Sequence, residues 1–332
     1  MTRLGRRGPR AALLPAAVTV LLATAACAGA GATPSGATAT SSASVAGLLT
    51  GPLSTPTATA TSAALPVAVA RPQLPRGGRQ VFPHHLVVMH YGTAGSGVLG
   101  VLGEGTPEQA AARVVTAAAP YAKASGRAVL PAFELITTIA RRAPGPDGTY
   151  STGIPHTDVE RYLAAVRKAK GLLVLDFQPG RADLLDQVRR YERFLREPDV
   201  GVALDPEWKL TGSQRPGRQI GRLTAAEVNR VSAYLATLRR VNGLPEKLFV
   251  LHQFRPSMLP DRDRIARRNG LATVLHVDGF GGQGAKRSAY SLLQQPARFH
   301  MGFKLFLDED TDLMTPVETM ALRPRPELVS YQ

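Results

Sequence analysis

The feature that most constrains the fold is a regular alternation of short apolar runs with longer amphipathic stretches, which begins at about residue 83. The apolar runs are rich in Val, Leu and Ile and are typical of strands buried on both faces. They lie at residues 85–89, 128–133, 172–177, 200–204, 248–251, 272–277, 300–307 and 327–331. The amphipathic stretches, at residues 106–125, 156–170, 182–196, 224–242, 260–269 and 285–294, predict helices. Such alternation predicts a parallel sheet that is covered on its outside.

The number of these units decides between two α/β architectures. Seven or eight strand–helix units within roughly 250 residues fit a (β/α)8 TIM-like barrel better than an open doubly wound sheet. An open sheet that binds a dinucleotide would need a Gly-x-Gly-x-x-Gly turn after its first strand. Gly95, Gly97 and Gly100 come close to this spacing, but no strand–turn–helix with a following acid accompanies them. We therefore expect a (β/α)8 barrel and no cofactor.

The first 27 residues carry the features of an export signal. The stretch 3–10 is rich in arginine and has no acid, and residues 11–22 form an apolar run too short to span a bilayer. Small residues then lead to Cys27, the only cysteine of the chain. This segment resembles the bacterial lipoprotein signal, in which such a cysteine is diacylated and becomes the mature N-terminus. We therefore expect residues 1–26 to be a signal peptide.

The resemblance implies that Cys27 carries the lipid that holds the protein at the outer face of the cell membrane. Without lipidation the protein would be secreted instead. Residues 27–80 consist largely of Ala, Thr, Ser, Gly and Pro, so they have little apolar surface to bury and predict a disordered tether. Residues 81–332 form the predicted barrel domain.

The formal net charge of +15 raises the question of a nucleic-acid partner. Part of this charge belongs to the predicted signal peptide, and the remaining arginines are scattered among acids without a basic block interleaved with aromatics. We therefore expect no nucleic-acid partner and a monomeric domain with a solvated basic surface. Attraction to anionic lipid headgroups or acidic wall polymers is the alternative interpretation of the charge.

Polar residues follow nearly every predicted strand. Because the carboxyl ends of parallel barrel strands meet at one mouth, where the active sites of this fold lie, we expect these residues to gather there. They are His90, Tyr91, Glu134, Asp176, Gln178, Asp205, Glu207, Trp208, His252, Gln253, Asp278 and Lys304. Capping of the next helix or neutralisation of an arginine could explain any one of them, but not the whole series.

Asp205 and Glu207 form the most specific pair in this series. Side chains alternate along a strand, so two carboxylates two residues apart point the same way. Crowding of like charges raises the pKa of one of them, which then holds a proton at neutral pH and acts as a general acid. Trp208 beside them offers a flat apolar face for a sugar ring. Glu134, Asp176 or Asp278 could supply the second carboxylate that hydrolysis of a glycosidic bond commonly requires.

The segment 201–208, Gly-Val-Ala-Leu-Asp-Pro-Glu-Trp, resembles the fourth-strand motif of chitinase-type (family 18) glycoside hydrolases. The resemblance implies that Glu207 protonates the leaving oxygen and that Asp205 orients the substrate. Ala203 occupies the position of a further Asp in that family. We therefore expect a glycoside-hydrolase-like barrel that acts on a cell-wall or extracellular glycan, without assigning its linkage.

In this hypothesis Glu207, Asp205, Asp176 and Glu134 are catalytic, and the other strand-end residues bind substrate. Two alternatives stay open. The same residues could form a non-catalytic site that binds a carbohydrate or a peptide. The other alternative is a metal-dependent hydrolase, because residues of metal-ligand type follow several strands: His90, His252, His276, Asp176 and Asp278. No His-x-His or His-Glu-x-x-His motif is present in the sequence, and we assign no metal ligand.

Overall fold

The computed structural model describes residues 71–332, and eight parallel strands in it close into a barrel. These strands are β1 (His85–Gly92), β2 (Ala128–Ala140), β4 (Leu172–Phe177), β5 (Val200–Leu204), β6 (Lys247–Gln253), β7 (Leu271–Val277), β8 (His300–Leu305) and β9 (Leu328–Tyr331). A short strand, β3 (Ser151–Gly153), pairs antiparallel with the end of β2. The barrel closes where β9 pairs in parallel with β1. The predicted (β/α)8 fold is confirmed.

Helices connect most of the strands on the outside of the barrel. They are α1 (Pro107–Ser125), α2 (His156–Lys168), α3 (Leu184–Arg190), α4 (Glu192–Leu195), α5 (Ala225–Val241), α6 (Gln283–Leu293) and α7 (Pro316–Met320). Three begin with a capping box, in which Thr106, Thr224 and Thr315 exchange hydrogen bonds with the residue three positions later. The helix predicted at 260–269 is absent, and only a 3-10 turn, Arg262–Arg264, forms there. That stretch has one large apolar residue, Ile265, and so lacks an apolar face to bury.

The core has an outer and an inner part because each strand buries both of its faces. Outward-facing side chains of the strands pack against the helices in one large apolar cluster. Inward-facing side chains fill the barrel with a second cluster, which includes Val87, Met89, Leu130, Ala132, Leu172, Val174, Ala203, Leu248, Val250, Ala272, Val274 and Leu328. The barrel interior is therefore a packed core.

Residues 71–82 close the N-terminal end of the barrel. Leu74, Val81 and Phe82 are buried in the inner apolar cluster. The Arg76 side chain donates to the backbone carbonyls of Val129 and Lys170, which lie next to the strand starts. The sequence assigned residues 71–80 to the tether, but in the structure they lie against the barrel. Leu74 is the apolar side chain of residues 71–80 that packs into the inner cluster. The polar composition of this stretch gives no indication that it lies against the barrel.

The predicted signal peptide, Cys27 and residues 28–70 of the predicted tether lie outside the described residues. Within residues 71–332, no helix has both the length and the hydropathy that crossing a membrane requires.

Candidate functional site

A layer of polar side chains lies at the C-terminal end of the barrel interior, directly above the inner apolar cluster. Because side chains alternate along a strand, these residues follow the apolar ones by two positions on the same face. The layer, here called the polar layer, consists of Tyr91, Glu134, Asp176, Asp205, His252, His276, Asp278, Lys304 and Ser330, all of which are buried. Each of the eight barrel strands contributes to it, as the strand-end pattern predicts.

His252 joins two carboxylates across the centre of this layer. Its Nε2 lies 2.7 Å from Glu134 Oε1, and its Nδ1 lies 2.9 Å from Asp278 Oδ2. Burial alone would lower the pKa of His252, but the charges and hydrogen bonds of the two carboxylates raise it well above its ordinary value. Both ring nitrogens therefore donate, and His252 is an imidazolium at neutral pH.

Asp278 is the ionised partner of this histidine. Burial alone would raise its pKa, but the hydrogen bond from His252 and the positive charges of His252 and Lys304 lower it. The Asp278 carboxylate keeps one oxygen, Oδ1, without a hydrogen-bond partner among the described residues. Glu134 Oε2 is in the same situation. Buried acceptors of this kind need a donor, so both atoms are suited to meet a bound polar molecule.

A second group of contacts surrounds Tyr91. Its hydroxyl donates to Asp176 Oδ2 at 3.4 Å and accepts from Gln178 Nε2 at 3.3 Å. The Lys304 ammonium lies 3.6 Å from the centre of the Tyr91 ring, a cation–π contact. Burial and the charge on Glu134 raise the pKa of Asp176 to about 7, although the charge on His252 opposes them. Asp176 is therefore partly protonated at neutral pH.

Asp205 and Glu207 lie where β5 ends. The backbone of Asp205 is still extended, and Glu207 belongs to the one-turn 3-10 helix Pro206–Trp208 that follows. Burial and then the charge of Glu207 raise the pKa of Asp205 well above its ordinary value. Burial and the charge of Asp278 raise the pKa of Glu207 to about 7. The charge of Glu207 therefore acts on Asp205, and a 3-10 turn rather than strand alternation places Glu207 after it.

Glu207 and Trp208 lie next to the polar layer, in the one-turn helix that follows β5. Both side chains are partly exposed, whereas Asp205 beside them is buried. Phe280, in the loop after β7, is 64% exposed and packs edge-on against Phe306 at 5.8 Å between ring centres. Glu207 is thus partly open to solvent, whereas Asp176, Asp205 and Asp278 are buried.

Two predicted binding residues point away from the barrel interior. His90 points away from the barrel interior, and its ring packs edge-on against Tyr331 at 6.1 Å. Gln253 also points outward, where its side chain bonds to Arg255 O at 3.1 Å and accepts from Arg262 at 2.9 Å. Each is adjacent in sequence to an inward residue, Tyr91 or His252, so strand alternation places it on the opposite face.

His276 and Ser330 belong to the layer but were not among the predicted site residues. Ser330 Oγ lies 3.1 Å from His276 Nε2. Burial and the positive charge of His252 lower the pKa of His276 well below its ordinary value, so its ring is neutral. Gly302 makes room for it, because a Cβ there would lie 2.9 Å from His276 Cδ2. One indication of His276 was present in the sequence: it lies two residues before Asp278, and side chains two residues apart in a strand point to the same face.

Lys286 is a third residue that the sequence did not indicate. Its buried ammonium donates to Gly279 O at 2.7 Å and to Lys304 O at 2.9 Å, and it pairs with Asp310 at 3.0 Å. Burial lowers the pKa of Lys286, and Asp310 opposes that change. Lys286 thus fastens the loop that carries Asp278 to the end of β8, which carries Lys304. A lysine on the helix α6 gives no sequence sign of this role.

Glu134, His252 and His276 could in principle hold a metal ion, since one potential ligand atom from each lies within 4.8 Å of the others. Both nitrogens of His252 are engaged by carboxylates, however, and a protonated imidazole does not bind a metal. A metal at this position would require His252 to lose its proton and to release Glu134 or Asp278. The geometry of the side chains favours the imidazolium.

Comparison with known proteins assigns no family to this chain. No protein-family model matches the chain, and no curated protein matches it. Among solved structures, the chain is similar to one described as "Crystal structure of a GH18 chitinase from Pseudoalteromonas aurantia". The TM-score is 0.34 at 11% sequence identity, over 74% of this chain and 93% of that chain. The fold assignment rests on the strand registers of the barrel itself.

The raised pKa of Asp176 makes the stability of the protein depend on pH. The folded state binds this proton more tightly than the unfolded state, so the contribution is present below about pH 4 and is lost as pH rises through about 7. In Asp176→Asn the side chain stays neutral at every pH. We expect the free energy of unfolding of the variant, relative to the wild type, to increase by about 2–4 kcal/mol from pH 4 to pH 8.

Urea denaturation at several pH values measures this difference. The matched control is Asp312→Asn, which neutralises an exposed carboxylate, and its difference from the wild type should stay nearly constant with pH. A constant difference for Asp176→Asn as well would contradict the assignment of a buried, partly protonated carboxyl.

Proposed function

We propose that the protein is a glycoside hydrolase whose general acid is Glu207. The proposal rests on the position of Glu207, a partly exposed carboxyl group directly after β5, where burial and the charge of Asp278 raise its pKa to about 7. A carboxylic acid in this state holds a proton at neutral pH and can deliver it to the oxygen of a leaving sugar. Among the mouth carboxyls, Asp176 and Asp205 are buried behind it.

The surroundings of Glu207 support a sugar as the group that it protonates. Trp208 and the exposed ring of Phe280 offer flat apolar faces near the entrance. Behind them, Asp278 is ionised and provides a negative charge close to Glu207, as stabilisation of an oxocarbenium-like transition state requires. Asp205, held protonated beside Glu207, can donate a hydrogen bond to a substrate oxygen or amide. These roles belong to the proposed mechanism.

The alternatives differ from this proposal in identifiable ways. A site that only binds a carbohydrate or a peptide would need the same aromatic faces but no proton at Glu207. A metal-dependent hydrolase would need neutral His252, whereas the two carboxylates on its ring favour the charged form. The substrate class we propose is a polysaccharide of the cell wall or of the extracellular medium.

Replacement of Glu207 by Gln tests the proposal. The amide keeps the shape of the carboxylic acid and its ability to donate a hydrogen bond but cannot transfer a proton. We expect kcat to fall by roughly 10²–10⁴-fold while substrate binding is retained. For the wild type, we expect kcat to fall as pH rises through about 7, because Glu207 is deprotonated there. Release of reducing ends from peptidoglycan fragments, chitin oligosaccharides and glucans measures turnover.

The matched control is Glu108→Gln, an exposed position on α1, which should leave turnover unchanged. Equal turnover by Glu207→Gln and the wild type would remove Glu207 from the mechanism. Binding of a polysaccharide without any release of reducing ends by the wild type would indicate the non-catalytic alternative.

We also propose that the protein is anchored at the outer face of the membrane through lipid on Cys27. The support is the order of a basic segment, a short apolar run and small residues ahead of the only cysteine in the chain. Two acyl chains on one cysteine give stable membrane attachment, whereas a single chain binds only marginally.

Replacement of Cys27 by Ala should abolish incorporation of labelled palmitate and move the protein from the membrane fraction to the medium. Thr24→Leu serves as the control, because it leaves the cysteine in place and should keep both the label and the membrane location. Membrane retention of Cys27→Ala without label would contradict lipid anchoring at this residue.

A further inference from the structure

The N-terminal end of the barrel, opposite the polar layer, carries a pocket of about 260 Å³. Three arginines, Arg267, Arg298 and Arg325, line it together with His300 and Glu327. Arg267 and Arg325 are exposed, and Arg298 is partly exposed. Arginine side chains bind phosphate well because the planar guanidinium offers parallel N–H donors to two phosphate oxygens.

The three arginines that line this pocket, here called the arginine pocket, keep their positive charges unpaired among the described residues. Within residues 71–332, none of the three arginines forms an ion pair with a carboxylate. Arg298 uses one terminal nitrogen to donate to Ile265 O at 2.8 Å, and its buried Nε has no partner. Glu327, the carboxylate among the lining residues, contacts His300 Nδ1 at 2.5 Å and Arg127 at 3.6 Å and none of the three arginines.

Other acids at this end of the barrel also have partners. Asp199, directly before β5, accepts from Arg167 Nε at 2.6 Å, and Glu197 accepts from the same arginine at 2.6 Å. Glu246, directly before β6, accepts from the backbone N–H of Val81 at 2.7 Å. The arginine pocket therefore faces solvent as an uncompensated cationic surface.

The chain that precedes the barrel is attached at this same end. The described residues begin at Arg71, and Arg79 donates to Pro72 O and to the carbonyls of Gly243 and Leu244, which lie just before β6. A lipid on Cys27 would pull the barrel towards the membrane by this end. The charge of the arginine pocket is opposite to that of a bilayer rich in anionic phospholipid.

We propose that the arginine pocket binds the phosphate headgroup of an anionic phospholipid, so that the barrel docks on the membrane by its N-terminal end. This proposal rests on the proposed lipid anchor and not on the glycosidase proposal. Docking in this orientation holds the polar layer and Glu207 on the side of the barrel that faces away from the bilayer.

Vesicle sedimentation of the chain from residue 28 to residue 332 tests the proposal. This chain lacks Cys27, so lipid attachment cannot contribute, and it keeps the complete barrel with the residues that close its N-terminal end. We expect binding to vesicles that contain about one third phosphatidylglycerol in phosphatidylcholine, and weak binding to pure phosphatidylcholine. Binding should weaken as salt is raised from 0.05 M to 0.5 M because the charges are screened.

The test variant is Arg267→Gln/Arg298→Gln/Arg325→Gln, for which we expect binding to fall by roughly tenfold or more. The matched control is Arg215→Gln/Arg218→Gln/Arg222→Gln, which removes the same charge from exposed positions in the loop after β5, at the opposite end. The control should bind nearly as the wild type does. Thermal unfolding of each protein establishes that the fold is intact.

Three results would overturn the proposal. No preference of the wild type for anionic vesicles would remove it, and so would equal loss of binding in the two triple variants, which would indicate net charge alone. Binding of inorganic phosphate to the wild type, together with equal vesicle binding by the wild type and the Arg267/Arg298/Arg325 triple variant, would identify a site for free phosphate instead. None of these results bears on turnover by Glu207, so failure here is distinguishable from failure of the glycosidase proposal.

Discussion

The ion triad formed by Glu134, His252 and Asp278 is the interaction on which the polar layer depends. Three fully or almost fully buried groups meet at 2.7 and 2.9 Å, with the positive charge between the two carboxylates. Buried carboxylates are costly unless they are paired and hydrogen-bonded, and removal of one partner of such an arrangement costs about 3–5 kcal/mol. The histidine therefore allows the barrel to keep several acids within its interior.

The same triad sets the protonation of its neighbours. It holds Asp278 ionised, and the charge of Asp278 in turn raises the pKa of Glu207. It also keeps His276 neutral, because a second imidazolium next to His252 would be repelled. A ring-to-ring distance of 4.9 Å between the two histidines makes this repulsion strong. Burial raises the pKa values of Asp176, Asp205 and Glu207, whereas the hydrogen bond and charge of His252 lower that of Asp278.

Much of this arrangement follows from the sequence. Parallel strands buried on both faces, separated by amphipathic helices, predicted the barrel, and polar residues at successive strand ends predicted the layer. The two-residue spacing of Asp205 and Glu207 also predicted that the charge of one carboxyl group raises the pKa of the other, as Glu207 does for Asp205. Strand alternation explains why two of the predicted binding residues face outward. His90 and Gln253 are each adjacent in sequence to an inward-facing residue, Tyr91 or His252.

Other parts of the site depend on contacts between distant residues, which periodicity does not report. The pairing of His252 with Glu134 joins residues 118 positions apart. Lys286 donates to one carbonyl in the loop after β7 and to one in β8. Leu74 packs into the inner apolar cluster from a stretch whose composition is that of a linker. These features arise from the closed geometry of the barrel, and a single sequence contains no local sign of them.

Nitrogen-15 NMR of the His252 side chain tests the central claim most directly, with His252→Gln used to assign the signals. We expect both ring nitrogens to carry a proton at pH 7, with the chemical shifts of an imidazolium. A neutral ring with one unprotonated nitrogen at pH 7 would contradict it, because Asp278 and Glu134 would then lack the cation that joins them.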